Sequence, residues 1–397
     1  MTTTLPVDDV SAVTESVRQR YSAAAEAPEA LLCCPVDYDP QYLKILPDEI
    51  LEKDYGCGDP SAFAREDDTV LDLGSGGGKI CYIASQIVGA QGRVIGVDMN
   101  DDMLALARRH QSDLAASIGH DNVEFRKGRI QDLGLNRGAL EQWLLNNPVT
   151  DSASLERYEA QVTAMRRETP LVEDDAVDLV LSNCVLNLVS DTEKTQLFGE
   201  IFRVLRRGGR AAISDIVADE PVPEHLKADP ELWSGCISGA MEESAFLQAF
   251  VDAGFYGVEM VKRDATPWRT VEGIEFRSVT VTAWKGRQGA CWDHNEAVIY
   301  RGPFSEARDD DDHVYRRGER VAVCRKTFDI LTKEPYAAYF EAVEPLEAVT
   351  EPIPFDCSVP VEHSAGNGHV AVRDPRETKG VDYNATTDAA CGPDGCC

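Results

Sequence analysis

The chain has 397 residues, 43% of them hydrophobic, with 39 Lys+Arg against 69 Asp+Glu and a net charge of −30. That length is enough for one large folded domain and a smaller one. A charge of that sign repels phosphate backbones and anionic lipid, so nucleic acid and membrane surfaces are not expected partners. Met1 to Val13 lack a basic stretch followed by an apolar one, and no window approaches the roughly 18 uninterrupted apolar residues of a membrane helix. The expected location is the cytosol, where 12 cysteines point to binding or redox chemistry rather than to a disulfide scaffold.

In chain order, Val10, Val13, Val17 and Tyr21 at helical spacing predict an amphipathic helix over Asp9 to Ala25, stopping at Pro28 ahead of Cys33-Cys34-Pro35. Residues 1–60 are read as an arm carrying this helix and several cysteines. Asp67 to His110 reads strand, glycine-rich turn, helix, strand, acidic residue, helix, which is a βαβ unit opening a parallel sheet. Asn122 to Lys127 and Ala176 to Ser182 are further strands. The polar stretch between them, about 133–173, is an insertion with its own helices, since a structureless loop of that length is improbable in a compact domain.

Thr192 to Leu205 is a helix with Gly208-Gly209 as its C-cap, and Arg210 to Asp215 is the next strand. A helix over Glu243 to Ala253 ends at Gly254, and strands follow at Gly257 to Lys262 and Glu275 to Ala283. Residues 61–285 therefore make an α/β domain, a Rossmann-like doubly wound sheet of about seven strands. After Lys285, short β-like runs at Ala297 to Tyr300 and Arg320 to Cys324 surround an Asp309 to Asp312 charge run, giving a small unit over 286–340. The run lacks the spacing and glycine of an EF-hand and reads as a solvated loop. Residues 341–397, rich in Pro, Glu, Asp and Thr, read as a poorly ordered tail ending in "CGPDGCC".

In "LDLGSGGGK", Gly74, Gly76 and Gly78 let the backbone turn off a strand and approach a ligand without a Cβ clash. The dinucleotide pattern G-x-G-x-x-G fails, because its last position is Lys79. The fit is to G-x-G-x-G with Asp72 two residues ahead, the pattern of S-adenosylmethionine-dependent methyltransferases. Asp98, 20 residues past Gly78 at the end of the second strand with Met99 beside it, is placed to accept from ribose hydroxyls. Gly128, Ile130, Gln131 and Asp132 follow the third strand, on a loop that flanks adenine in such folds.

Cys184 ends the strand in "LVLSNCVLNLV", at the carboxyl edge where open α/β sheets bind ligands. Cys57 in "DYGCGDP" and Cys236 in "WSGCISGA" also lie on loops, so three exposed thiols on three loops are expected. Cys81 and Cys324 sit in apolar patterns and read as core. Cys291 with His294, and Cys324 with His313, can be arranged as a four-ligand metal site, although the spacing matches no standard zinc pattern. Cys391, Cys396 and Cys397 could chelate a thiophilic ion, but three thiols fall short of a zinc site.

The chain resembles the arsenite methyltransferases over nearly all of Val10 to Lys285. The resemblance is carried by "ALLCCPVDYDPQYLKILPDEILEKDYGCG", "LDLGSGGGK", "IGVDMNDDMLALAR", "SNCVLNL" and "WSGCISGA". It implies that Cys57, Cys184 and Cys236 bind trivalent arsenic, a soft ion that prefers thiolates. It further implies that one of Cys33 and Cys34, with Cys34 favoured, pairs with Cys57 in an oxidised form during turnover. S-adenosylmethionine is then the methyl donor, arsenite the acceptor, and glutathione or thioredoxin the thiol reductant, in a monomeric enzyme. One departure falls in the first helix: the family's Tyr-Tyr-Gly is here Arg20-Tyr21-Ser22, which leaves the contact of Tyr21 over the cofactor open. A methyltransferase for a small organic substrate and a non-catalytic arsenic-sequestering protein are the competing readings. The first predicts catalysis without any metalloid, and the second predicts arsenite binding without methylated product.

Overall fold

A computed structural model of the chain describes residues 10–27, 36, 38–53 and 55–357. Cys34, Cys391, Cys396 and Cys397 lie outside the described residues. Seven long strands are β1 (Thr69–Leu73), β2 (Arg93–Asp98), β3 (Val123–Lys127), β4 (Val177–Asn183), β5 (Leu205–Ala218), β6 (Tyr256–Arg263) and β7 (Ile274–Trp284). They form one sheet in the order β3-β2-β1-β4-β5-β7-β6, with β7 antiparallel to both its neighbours and the rest parallel. The chain leaves β1 toward β2 on one side and reaches β4 on the other, so the crevice between β1 and β4 is the switch point at which such sheets take ligands.

The helices that cover this sheet and its edges include α1 (Val10–Glu26), α2 (Lys79–Val88), α3 (Asp101–Arg109), α4 (Arg137–Asn146), α5 (Ser152–Glu168), α6 (Asp191–Val204), α7 (Pro230–Ser234) and α8 (Glu243–Asp252). Alternation along the central strands splits the core between the two faces. Val70, Leu179 and Leu181 pack with Ile83, Val94 and Leu104, while Leu71, Leu73 and Val180 pack with Phe198, Phe250 and Val279. Burial on both faces explains why β1 and β4 read as unbroken apolar runs. No helix among the described residues is long and apolar enough to cross a membrane.

The expected insertion is helical: α4 and α5 occupy most of it, and Asp151 caps α5 in a reciprocal box with Ser154. The expected cap at Gly208-Gly209 is not formed. Helix α6 passes into β5 at the fully buried Leu205, and the pairing jumps from Val177↔Leu205 to Leu179↔Arg210. Gly208, with φ +84°, sits in that bulge, where a left-handed residue absorbs the extra length.

The chain divides into two units, residues 1–285 and 286–397. In the second, β8 (Ala297–Tyr300) lies between β9 (Arg320–Ala322) and β10 (Phe340–Val343) in an antiparallel sheet, beside helix α9 (Arg325–Leu331). Strand pairing therefore continues past residue 340, where the tail was expected to begin, because Phe340 packs on Tyr300 and Tyr315. A further ribbon joins Trp292–Asp293 to Ile353–Pro354. The acidic run is more than solvated: Asp311 pairs with Arg287 and Asp312 with Arg308 at 3.2 Å, while the Asp309 carboxylate accepts from the Tyr315 hydroxyl and pairs with His313 Nδ1 at 2.9 Å.

Candidate active site

A cleft of about 1150 Å³, counted out to its mouth, opens at the carboxyl ends of β1, β2 and β4. Its wall carries Asp72, Gly74, Gly76, Asp98, Met99, Ile130 and Gln131, together with Cys184. The three glycines of the turn have φ of +70°, +49° and +87°, and each answers a different need. A Cβ on Gly74 would lie 2.5 Å from Val185, one on Gly76 would meet no protein atom within 4 Å, and one on Gly78 would lie 2.9 Å from the Phe125 ring. Gly78 is not on the cleft wall; it starts α2 and lets that helix close on the sheet.

Asp98 Oδ2 accepts from Gly76 N–H at 2.9 Å and Oδ1 from Asn100 N–H at 2.8 Å, so the end of β2 and the glycine turn fix one another. Burial pushes the Asp98 carboxyl up from its ordinary range. Asp72 accepts from the Cys81 thiol at 3.2 Å. Gln131 donates to Glu193 at 3.1 Å, whereas Asp132 faces α5 in a two-pronged ion pair with Arg166 at 2.5 and 2.7 Å. On the same wall the Ser75 hydroxyl is buried without a hydrogen-bond partner. An open side at Gly76, an orphan hydroxyl at Ser75 and a carboxylate at the tip of β2 fit the nucleoside of S-adenosylmethionine.

Helix α1 closes one side. Asn100 Nδ2 donates to the Arg18 carbonyl at 3.1 Å and to the Ser22 hydroxyl at 3.0 Å, and the Tyr55 hydroxyl donates to the Ala24 carbonyl at 2.9 Å. Ser22, the departure from Tyr-Tyr-Gly, takes part in the docking. Tyr21 lies on the cleft wall with its hydroxyl 3.7 Å from Cys236 Sγ, and burial followed by the neighbouring thiols pushes its phenol well up.

The thiols expected to be exposed are buried: Cys57 and Cys184 are 4% exposed and Cys236 2%. They are loop residues, but Val222, Leu226, Ile237 and Phe276 cover them. Cys184 is the middle of the three. Its thiol meets those of Cys236 and Cys57, and these contacts, followed by burial, hold it well above the ordinary thiol range. Cys57 is pushed up chiefly by burial. The Cys236 thiol also donates to the Cys184 carbonyl at 3.0 Å.

Two asparagines that flank Cys184 in "SNCVLNL" were not singled out in the sequence, and they join the three loops. Asn183 Oδ1 accepts from Cys57 N–H at 2.9 Å and Gly58 N–H at 3.1 Å, while its Nδ2 donates to the Gly58 carbonyl at 2.7 Å. Asn187 Nδ2 donates to the Ile216 carbonyl at 2.6 Å and to the Cys236 carbonyl at 3.3 Å. The glycines beside the cysteines make room for these ties: a Cβ on Gly56 would lie 2.1 Å from Asn183, and one on Gly239 2.0 Å from the Asn187 carbonyl. Asp215, also missed, is fully buried. It accepts from Leu186 N–H at 2.8 Å, fixing the turn after Cys184, and burial pushes its carboxyl up to about 6.

Among the described residues, the sulfurs that all lie within 4.8 Å of one another are a different set, Cys291, Cys324 and Cys357 in the second unit. This corrects two expectations. Cys324 is buried but is not merely core, and the four-ligand arrangement with His294 and His313 is not formed, since His313 is held by Asp309. Cys357 was hidden in the stretch read as tail.

The sheet order, the antiparallel β7, the glycine turn and the acid ending β2 define a class I S-adenosylmethionine-dependent methyltransferase. Two stretches, residues 64–152 and 146–254, match the family described as "Methyltransferase domain", and residues 287–383 match a domain of unknown function, DUF8838. An arsenite methyltransferase of Aquipseudomonas alcaligenes is 31% identical over 83% of this chain and 90% of its own length. That of Mus musculus is 28% identical over 91% and 87%. Among solved structures, an arsenic(III) S-adenosylmethionine methyltransferase from Chlamydomonas reinhardtii superposes with a TM-score of 0.53 at 26% identity, covering 81% of this chain and 100% of that one. The chain belongs to the arsenite methyltransferase family.

Proposed function

We propose that the protein methylates trivalent arsenic held by Cys57, Cys184 and Cys236, with S-adenosylmethionine bound along Asp72, Gly74, Gly76, Asp98, Met99, Ile130 and Gln131. The observation that carries this reading is the position of Cys184, which lines the cleft and also meets the other two thiols. Gly78 serves the same site indirectly, through the seating of α2.

Arsenous acid and three thiols condense to three As–S bonds and three waters, so capture needs no oxidant. Soft sulfur suits the soft ion, and three bonds leave arsenic its lone pair. S-adenosylmethionine, when bound, supplies a methyl group on a sulfonium, an activated leaving arrangement. The chain's own contribution is placement: holding two reactants in register is worth on the order of 7 to 11 kcal/mol of barrier in favourable cases. The buried cage also excludes water from the arsenic. Methyl transfer to the lone pair leaves arsenic two electrons more oxidised. Attack of the Cys34 sulfur, with loss of its proton, on the Cys57 sulfur breaks the As–Cys57 bond, whose electron pair returns to arsenic as the Cys34–Cys57 disulfide forms, and thioredoxin or glutathione then reduces that pair.

Cys184→Ser and Cys236→Ser are each expected to abolish methylated product while leaving S-adenosylmethionine binding, measured by calorimetry, within about twofold of wild type. Full activity in either single variant would place the cage elsewhere.

A further inference from the structure

Cys291, Cys324 and Cys357 arrive from three separate segments of the second unit. Cys291 precedes the Trp292–Asp293 strand, Cys357 follows its partner Ile353–Pro354, and the two chains are held in register by Phe355 N–H donating to the Cys291 carbonyl at 2.9 Å. Cys324 enters from a third direction as the residue before α9. Ordinary space-filling does not account for the group: Cys291 and Cys357 are only half-buried, and the cluster built on residues such as Val298, Tyr315 and Phe328 includes none of the three. Their sulfurs lie within 4.8 Å of one another, and among the described residues no His, Asp or Glu completes the group. Polar groups sit against the sulfurs as well: Cys324 Sγ is 3.3 Å from the Thr327 hydroxyl, and Lys326 hydrogen-bonds to Cys291.

The number of ligands decides the ion. Structural zinc is almost always four-coordinate and tetrahedral, and among the described residues this site offers three sulfurs. Trivalent arsenic is satisfied by three sulfurs and a lone pair. Cys324 is fully buried while Cys291 and Cys357 are half-buried, so the site has a wet side through which a small neutral acid can enter. We propose that Cys291, Cys324 and Cys357 form a second trivalent-arsenic site, separate from the methyl-transfer cage. Arsenous acid would lose its three hydroxyls as water, with the three thiol protons, and form three As–S bonds; no electrons are exchanged. The site goes beyond methyl transfer and does not depend on it, because binding here needs no S-adenosylmethionine.

The test is arsenic bound per full-length chain, measured by equilibrium dialysis with elemental mass spectrometry, with arsenite as the probe, a phosphine reductant and no S-adenosylmethionine. Cys291→Ser, Cys324→Ser and Cys357→Ser should each bind about one arsenic fewer than wild type. Cys184→Ser should also lose one, and Cys184→Ser with Cys291→Ser should lose two. Methylation by Cys291→Ser separates this proposal from the catalytic one: product should still form there and be absent from Cys184→Ser. Unchanged stoichiometry in Cys291→Ser and Cys357→Ser, whose partial exposure tolerates serine, would overturn the second site whatever the methylation result. Stoichiometric zinc in the purified wild type that arsenite does not displace, and that Cys291→Ser lacks, would overturn it in favour of zinc.

Discussion

Cys184 and Cys236 hold φ of +62° and +60°, a region that non-glycine residues enter at a cost of about 1–3 kcal/mol. Two strained cysteines in direct contact are what a site under geometric demand looks like: the left-handed turn aims each thiol toward the other where an extended backbone would aim it elsewhere. If strain is the cost of aiming Cys184, then Cys184→Gly should be more stable to denaturant than Cys184→Ala by about 1 kcal/mol. That order reverses the one expected at a buried position without strain, and an alanine variant as stable as the glycine one would remove the argument. Asp215 supplies a second test at this scale. Its carboxyl is pushed up from 3.8 to about 6 by burial, so the folded state holds its proton longer than the unfolded one. The resulting stabilisation is fully present below about pH 4 and is lost as pH rises through about 6, roughly 3 kcal/mol in all at 1.36 kcal/mol per unit. Unfolding free energies measured from pH 4 to 7 should show that slope in wild type and lack it in Asp215→Asn.

At the scale of elements, α1 lines the cleft with Arg18 and Tyr21 and is tied to the turn after β2 by Asn100. Ser22→Ala removes one of the two acceptors that Asn100 finds on α1 and no core contact, so it should weaken S-adenosylmethionine binding by about threefold to tenfold, on the scale of one hydrogen bond. Calorimetry on the variant should show this with little change in melting temperature; an unchanged affinity would mean that α1 docks independently of Ser22. The elements themselves were largely legible. Apolar runs, helical spacing and glycine stops located β3, β4, β6 and β7 to within a residue or two, because burial on the sheet faces leaves a strong local pattern. The start of β5 was not, since a glycine pair that ends a helix and one that fills a bulge read alike until the partner strand is known. The cofactor turn was legible because its chemistry lies in consecutive residues. The roles of Asn183, Asn187 and Asp215 were not, because each depends on loops brought from 29 to 126 residues away.

Taken as a whole, the molecule places thiol chemistry in two separate units. In the first, three buried cysteines meet at the edge of the cleft; in the second, three others gather beside α9 and the ribbon. Spacing in the sequence could not separate these groups, since residues 33 apart, such as Cys324 and Cys357, pair only after β10 and the ribbon beyond it have folded back. The central claim concerns the first group, and one measurement reaches it directly. Purified protein incubated with arsenite, S-adenosylmethionine and a thiol reductant, and then resolved by chromatography with elemental mass spectrometry, should yield methylated arsenic that disappears when any one component is left out. Arsenite that stays bound but unmethylated under those conditions would contradict the account and leave a thiol protein that sequesters the ion.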